Sequence, residues 1–262
     1  MSSQRPKAVE VSDNVDDLQE DVTPSGKRIS ACFGLEWSDD FWVAGKYDVI
    51  LIHGVRDVLG DVWNKGDRNW VKSEVFAKEP FNIAEFRYDN CSHDASIFSV
   101  NGIEKEAMKL LEGLTKKPNH QDGPFIGPSI DRDLLFITRD IGGLIAKKAL
   151  CIASRSPKTC NDIVRRTSLM IFYNCPHRSF DLEDVEDNVL RLLGSPGPTG
   201  IHGVAQKAKR LAAEIERIHQ DCSHALLWQQ IPVQNFITLW GKPETQVCKR
   251  FPKSRFPIFL IV

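Results

Sequence analysis

Residues 133–150 read DLLFITRDIGGLIAKKAL. The apolar run Leu134-Leu135-Phe136-Ile137 has the length of a fully buried strand. It breaks at Thr138-Arg139-Asp140-Ile141-Gly142-Gly143. A helical pattern follows, with Leu144, Ile145, Ala149 and Leu150 on one side and Lys147 and Lys148 on the other. Strand, sharp turn, glycines and helix together have the form of a nucleophile elbow. In an elbow the apex side chain leaves the sheet from a strained turn. The backbone N–H groups after it, here those of Ile141 and Gly142, then face any anion formed there. The apex residue is Asp140.

Working outward, Tyr47–His53 (YDVILIH) is the first clear strand, closed by Gly54. The backbone after such a strand can supply an oxyanion donor, and Val55 or Arg56 is in position to do so. Taken alone, His53-Gly54 is better explained as a plain β-turn. Ile83–Tyr88 reads as the next strand. Ile103, Ala107, Leu110, Leu111 and Leu114 recur at helical spacing and predict a helix packed on the sheet. Ser168–Asn174 is another buried strand, and Asp181 can cap a helix carrying Leu182, Val185, Val189 and Leu192 or Leu193. Val204, Ala208, Leu211, Ile215, Ile218 and Cys222 mark a long amphipathic helix, expected as a cap over the sheet within residues 200–228. Gln234–Trp240 and Phe256–Val262 read as late strands, and Arg28–Trp42 holds one or two short edge strands. Alternation of strands and helices argues for a mostly parallel sheet with helices on both faces. Residues 1–27 are polar, acidic and aperiodic, and are expected to form a disordered tail; residues 28–262 form the folded domain.

The 262 residues carry 42% hydrophobic and 26% charged side chains, enough for a packed core. A net charge of −1 gives no reason to expect nucleic acid as a partner. No stretch approaches the ~18 apolar residues of a transmembrane helix, and the first twenty residues lack an apolar signal region. The seven cysteines, several inside apolar runs and none in a C-x-x-C pair, read as reduced core residues of an intracellular, by default cytoplasmic, protein. There is no P-loop, no G-x-G-x-x-G after a strand and no metal-ligand cluster, so no cofactor or metal is expected.

The ordered set DVILIHGV (48–55), Trp63, FRYD (86–89), IEKEAMKLLEGL (103–114), LLFITRDIGGLIAKKAL (134–150), CPHRSFDLEDVEDNVLRLL (175–193) and FITLWGKPET (236–245) resembles one family. It is similar to the α/β-hydrolase-type domain of serine-active-site-containing (SERAC-type) proteins, and to domains at the N-termini of fungal NACHT or ankyrin-repeat proteins. The resemblance implies an α/β-hydrolase-like sheet and a lipase- or esterase-like ancestry. It also implies a lipid or ester small molecule as ligand and an association with mitochondrion or endoplasmic reticulum. Family members carry H-S-x-G-G or H-D-x-G-G at the elbow; here Arg139 replaces the histidine and Asp140 stands at the serine position. By the resemblance, the family's acid and histidine follow the strand that Phe256–Val262 begins, so the fold is expected to be C-terminally incomplete. Glu244 is an acid only by rearrangement.

Asp140 therefore has three readings: a carboxylate nucleophile, which needs a histidine to activate water afterwards; a helix N-cap accepting from N–H groups at Gly142 or Gly143, worth ~1 kcal/mol; or a relic at an inactive site. Thr138 is expected to crowd or relax the turn, because an elbow needs a small residue there. Arg139 is expected to be a solvated surface residue, with Asp131 or Asp133, or Asp140 itself, as its candidate partners. His177, by the resemblance, belongs to a structural Pro-His turn, and His202, His219 and His224 lie on or near the cap helix. Two functions stay open: a non-catalytic recognition or regulatory domain with a protein partner or self-association, and an active hydrolase using Asp140. Self-association is expected through Phe256–Val262 as an unpaired apolar edge.

Overall fold

The computed structural model describes residues 33–37, 46–57, 62–65, 68–71, 81–90, 95–115, 131–177, 181–194, 201–225, 227 and 231–236. Expectations for the N-terminal tail, for Glu244 and for the strand at 256–262 lie outside these residues.

Six strands form the main sheet: β1 (Gly34–Trp37), β2 (Tyr47–Ile52), β5 (Phe81–Arg87), β6 (Asp133–Arg139), β7 (Thr167–Tyr173) and β8 (Val233–Phe236), in the order β1-β5-β2-β6-β7-β8. Every pairing is parallel except β1 with β5, which makes β1 the antiparallel edge. A small antiparallel pair, β3 (Asn64–Lys65) and β4 (Arg68–Asn69), stands apart from it. Strands β2 and β6 sit in the centre and are buried on both faces, as their unbroken apolar runs require.

The helices are α1 (Gly102–Thr115), α2 (Ile141–Arg155), α3 (Pro157–Arg166), α4 (Leu182–Gly194) and α5 (Val204–His224). All of them feed one core cluster with the side chains of Ile50, Ile52, Phe86, Phe136, Met170 and Phe172. The alternate strand residues, Val49, Leu51, Ile83, Leu135, Ile137 and Ile171, form the second cluster with Trp63 and Val71. Among the described residues this second face is covered by the Val62–Val71 region rather than by a long helix, and residues 72–80 lie outside the description. Asp181 caps α4 as the sequence predicts: its Oδ1 accepts from Glu183 N at 2.9 Å.

Helix α5 lies in the helical layer over the first core cluster. It packs against α2 and α4 inside the helical layer, burying Ala208, Leu211, Ala212, Ile215, Ile218 and Cys222. An amphipathic stripe shows that a helix has an apolar partner, not which surface that partner is. On the outer side of the same seam, Asp221 of α5 meets Lys148 (3.1 Å) and Arg155 (2.5 Å) of α2. Cys222 and Cys151 form a disulfide between these two helices, with Cα atoms 5.5 Å apart. This corrects the reading of all cysteines as reduced: the two thiols are 71 residues apart in sequence, and only the packing of α5 on α2 brings them together. Cys175 stays a buried thiol.

A buried charge cluster ties together the opposite end of the sheet. Asp48 at the start of β2 accepts from Arg132 Nε (2.6 Å), Asn82 Nδ2 (3.0 Å) and Arg166 (3.4 Å). Arg166 also donates to the Arg132 carbonyl at 2.7 Å. A fully buried carboxylate needs this number of donors to offset its lost hydration.

Candidate functional site

Parallel pairing of β2 with β6 sets the site. The register places Ile52 beside Thr138, so the turn His53-Gly54-Val55 and the elbow at Asp140 leave the sheet side by side. Such carboxyl ends of adjacent parallel strands are where open α/β sheets form their crevices.

The elbow is real. Asp140 has φ 35° and ψ −114°, a strained conformation for a residue with a Cβ. Its backbone is held there: Asp140 N donates to Tyr173 O at 2.8 Å, and Gly143 N donates to Asp140 O at 3.1 Å. Thr138 neither crowds nor relaxes the turn. Its side chain is buried and its hydroxyl donates to Ile171 O on β7 at 3.1 Å, so the β-branched residue is accommodated by the neighbouring strand. Gly142 allows the start of α2 to approach β2: a Cβ there would strike the His53 carbonyl and come within 2.8 Å of the Ile52 side chain.

Two backbone N–H groups converge on one oxygen of Asp140. Val55 N donates to Oδ1 at 2.7 Å, and Ile141 N donates to the same Oδ1. Of the two sequence candidates, Val55 rather than Arg56 therefore faces the apex. The cap also differs in detail, because the helix donor to the side chain is Ile141 rather than Gly142 or Gly143. The φ of +35° tilts the side chain back over its own following N–H. Gly54 makes room for this carboxylate: the three atoms nearest to a Cβ placed there are Oδ2, Cγ and Oδ1 of Asp140.

Asp140 is 5% exposed, and its carboxyl is pushed up to about 7. Burial is the main cause and the neighbouring Asp57 carboxylate adds to it, while the Val55 and Ile141 N–H groups and Arg139 act the other way. Asp57 is the residue that Arg139 pairs with, at 3.1 Å, instead of Asp131, Asp133 or Asp140. Asp57 also accepts from Gly54 N at 2.6 Å. Asn90 Nδ2 donates to the carbonyls of Gly54 (3.1 Å) and Asp57 (2.9 Å), fixing the loop that presents Val55. Neither Asp57 nor Asn90 stands out in sequence, since nothing in their spacing marks them as facing Asp140.

His53 is a structural residue of this loop. Its ring stacks on Tyr88 with centroids 4.2 Å apart. Nε2 accepts from Tyr88 N at 3.1 Å, which leaves Nδ1–H to donate to Gly54 O at 2.9 Å. These two partners fix a neutral tautomer, and burial lowers the imidazole's pKa. Among the described residues no histidine hydrogen-bonds Asp140. His177 contacts Lys147, His219 contacts Ser223 Oγ at 3.4 Å, and His202 and His224 are exposed. No group of three His, Cys, Asp or Glu side chains among the described residues is arranged to hold a metal ion. No described helix is long and apolar enough to cross a membrane.

No protein-family model matches the chain. Over 165 residues it is 24% identical to SERAC1 of Bos taurus, and over 164 residues 26% identical to SERAC1 of Mus musculus. In both cases the match takes in 56% of this chain and 24% of the SERAC1 chain, so the chain spans about a quarter of these relatives. Among solved structures, an inhibited esterase B from Lactobacillus rhamnosis aligns over 74% of this chain and 65% of its own, at 16% identity and a TM-score of 0.36. Strand order, the strained apex after β6 and the donor turn after β2, together with the partial likeness to SERAC1, make this an α/β-hydrolase-like domain that resembles SERAC proteins.

Proposed function

We propose that this domain is a non-catalytic, hydrolase-like module with a recognition or regulatory role, its ancestral acyl-transfer site closed by its own apex side chain. The observation that supports this is the position of Asp140 Oδ1. In acyl transfer, the N–H groups after the first strand and after the apex would hold the oxyanion of the tetrahedral intermediate. Here Val55 N and Ile141 N both donate to Asp140 itself. A substrate carbonyl would have to displace a buried carboxyl group from two donors. An ordinary acyl transfer also needs a base beside the nucleophile. The described histidine nearest this turn, His53, has both ring nitrogens committed to Gly54 and Tyr88.

The alternative is a hydrolase in which Asp140 attacks carbon and a histidine activates water. The strained apex favours it; the absence of a histidine bonded to Asp140 among the described residues argues against it. The non-catalytic reading is tested with a fluorophosphonate probe and p-nitrophenyl butyrate on the parent and on Asp140→Ser, and the carboxylate-nucleophile reading with an epoxide on the parent, which would leave an alkyl ester on Asp140. The expected outcome is no adduct and no ester turnover from either. Stoichiometric labelling of Ser at position 140, or its acylation burst, would overturn the non-catalytic reading by revealing a base.

A further inference from the structure

Away from Asp140, between α2, α5 and the β7–β8 edge, lies a cavity of about 480 Å³. Leu144, Phe172, Ile215, Ile218 and Val233 give it apolar walls, and Lys147, His177 and His219 give it a polar side. Lys147 projects into it from the middle of α2, on the side of the helix that the sequence pattern assigned to solvent. The amine donates to Nδ1 of His177, and its Nζ lies 4.8 Å from the centre of the Phe172 ring. The His177 ring is held edge-on to the same Phe172, with centroids 5.2 Å apart. A lysine amine and an imidazole in contact with it are thus brought to a partly apolar cavity by four segments, α2, the end of β7, α5 and β8.

Burial lowers the pKa of Lys147, which enlarges its share of free amine near neutrality. A desolvated lysine amine in an apolar pocket is a nucleophile toward carbonyl carbon. We propose that this cavity is a second, independent site at which Lys147 forms an imine with an aliphatic aldehyde, the chain lying against Leu144, Ile215, Ile218 and Val233 and His177 moving the protons. The amine lone pair forms the C–N bond while the carbonyl π pair moves to oxygen. His177 takes a proton from the cationic nitrogen and passes it to the alkoxide oxygen, giving the neutral carbinolamine. The nitrogen lone pair then forms C=N as the C–O bond breaks, and the second nitrogen proton, carried by His177 to the departing hydroxide, leaves with it as water. Aldehyde and amine give imine and water, with no change of oxidation state. The site does not use Asp140, so it stands whether or not Asp140 is reactive.

The full chain is incubated at about neutral pH with octanal or with acetaldehyde, each with cyanoborohydride to reduce any imine to a stable amine, and the modified lysines are read by peptide mass spectrometry. Lys147 is expected to label severalfold faster than the exposed Lys105, and to favour octanal over acetaldehyde. His177→Gln should slow labelling at Lys147 but not at Lys105, and Lys147→Arg should abolish the fast phase with its circular dichroism unchanged. Labelling of Lys147 no faster than Lys105, or equal rates with the two aldehydes on the parent protein, would overturn the proposal without recourse to any variant.

Discussion

Val55 N and Asp140 Oδ1 meet at 2.7 Å across 85 residues of chain. The bond joins the turn after β2 to the elbow after β6, and Ile141 N closes on the same oxygen. The carboxyl group is at once helix cap, clasp between two strand ends and occupant of a donor pair shaped for an oxyanion. Its strained backbone persists because the surrounding loop over-determines it: Tyr173 O holds the apex N–H, and Asn90 holds the carbonyls of the opposite turn.

The carboxyl of Asp140 titrates near 7 in the folded chain, against an ordinary value of 3.8. A folded pKa above the unfolded one means that the native state keeps a proton which the unfolded state gives up. The associated stability is complete below the unfolded pKa and is lost as pH rises through the folded one. The parent should therefore lose stability between about pH 4 and 7, by up to ~4 kcal/mol from this group. Asp140→Asn, which does not titrate, should flatten that part of the profile. Urea unfolding at several pH values checks this; an unchanged slope would assign the effect to another group.

Gly54→Ala should destabilise the fold by ~1–3 kcal/mol, because the new methyl meets the Asp140 carboxyl. The nearest atoms all belong to one removable side chain, so the cost should shrink by more than half in an Asp140→Ala background. A double-mutant cycle measures this coupling. Additive effects would mean that Gly54 is required by its backbone and not by its neighbour.

The disulfide between Cys151 and Cys222 closes a loop of 71 residues. Loop-closure entropy for that length suggests a contribution of ~4 kcal/mol. A reducing agent should lower the Tm of the parent but leave the Tm of a Cys151→Ala, Cys222→Ala double variant unchanged. Equal responses of the two proteins would show that the bond does not support the α2–α5 seam.

Asp48→Ala should cost ~3–5 kcal/mol, since it leaves Arg132 and Arg166 buried beside each other without their shared carboxylate. Because this cluster lies at the far end of the strands from Asp140, the variant should unfold earlier in urea yet keep the pH profile expected of Asp140. Loss of that profile would mean that the two ends of the sheet are coupled.

Sequence by itself determined the elements and their chemistry: the buried strands β2, β6 and β7, the helices α1 and α4, the Asp181 cap, and an elbow with aspartate at its apex. These follow from local periodicity and turn chemistry, which act within a few residues. Only the tertiary structure decided which groups meet. Val55 rather than Arg56 reaches Asp140 because β2 and β6 pair in one register. Arg139 turns to Asp57, and Thr138 finds the carbonyl of Ile171, because of strand neighbours no local pattern reveals. Lys147 points inward and Cys151 finds Cys222 because α5 packs beside α2. An amphipathic pattern carries the sign of a contact but not its partner, and the partner fixes both the charge of a buried carboxyl and the reach of a buried amine.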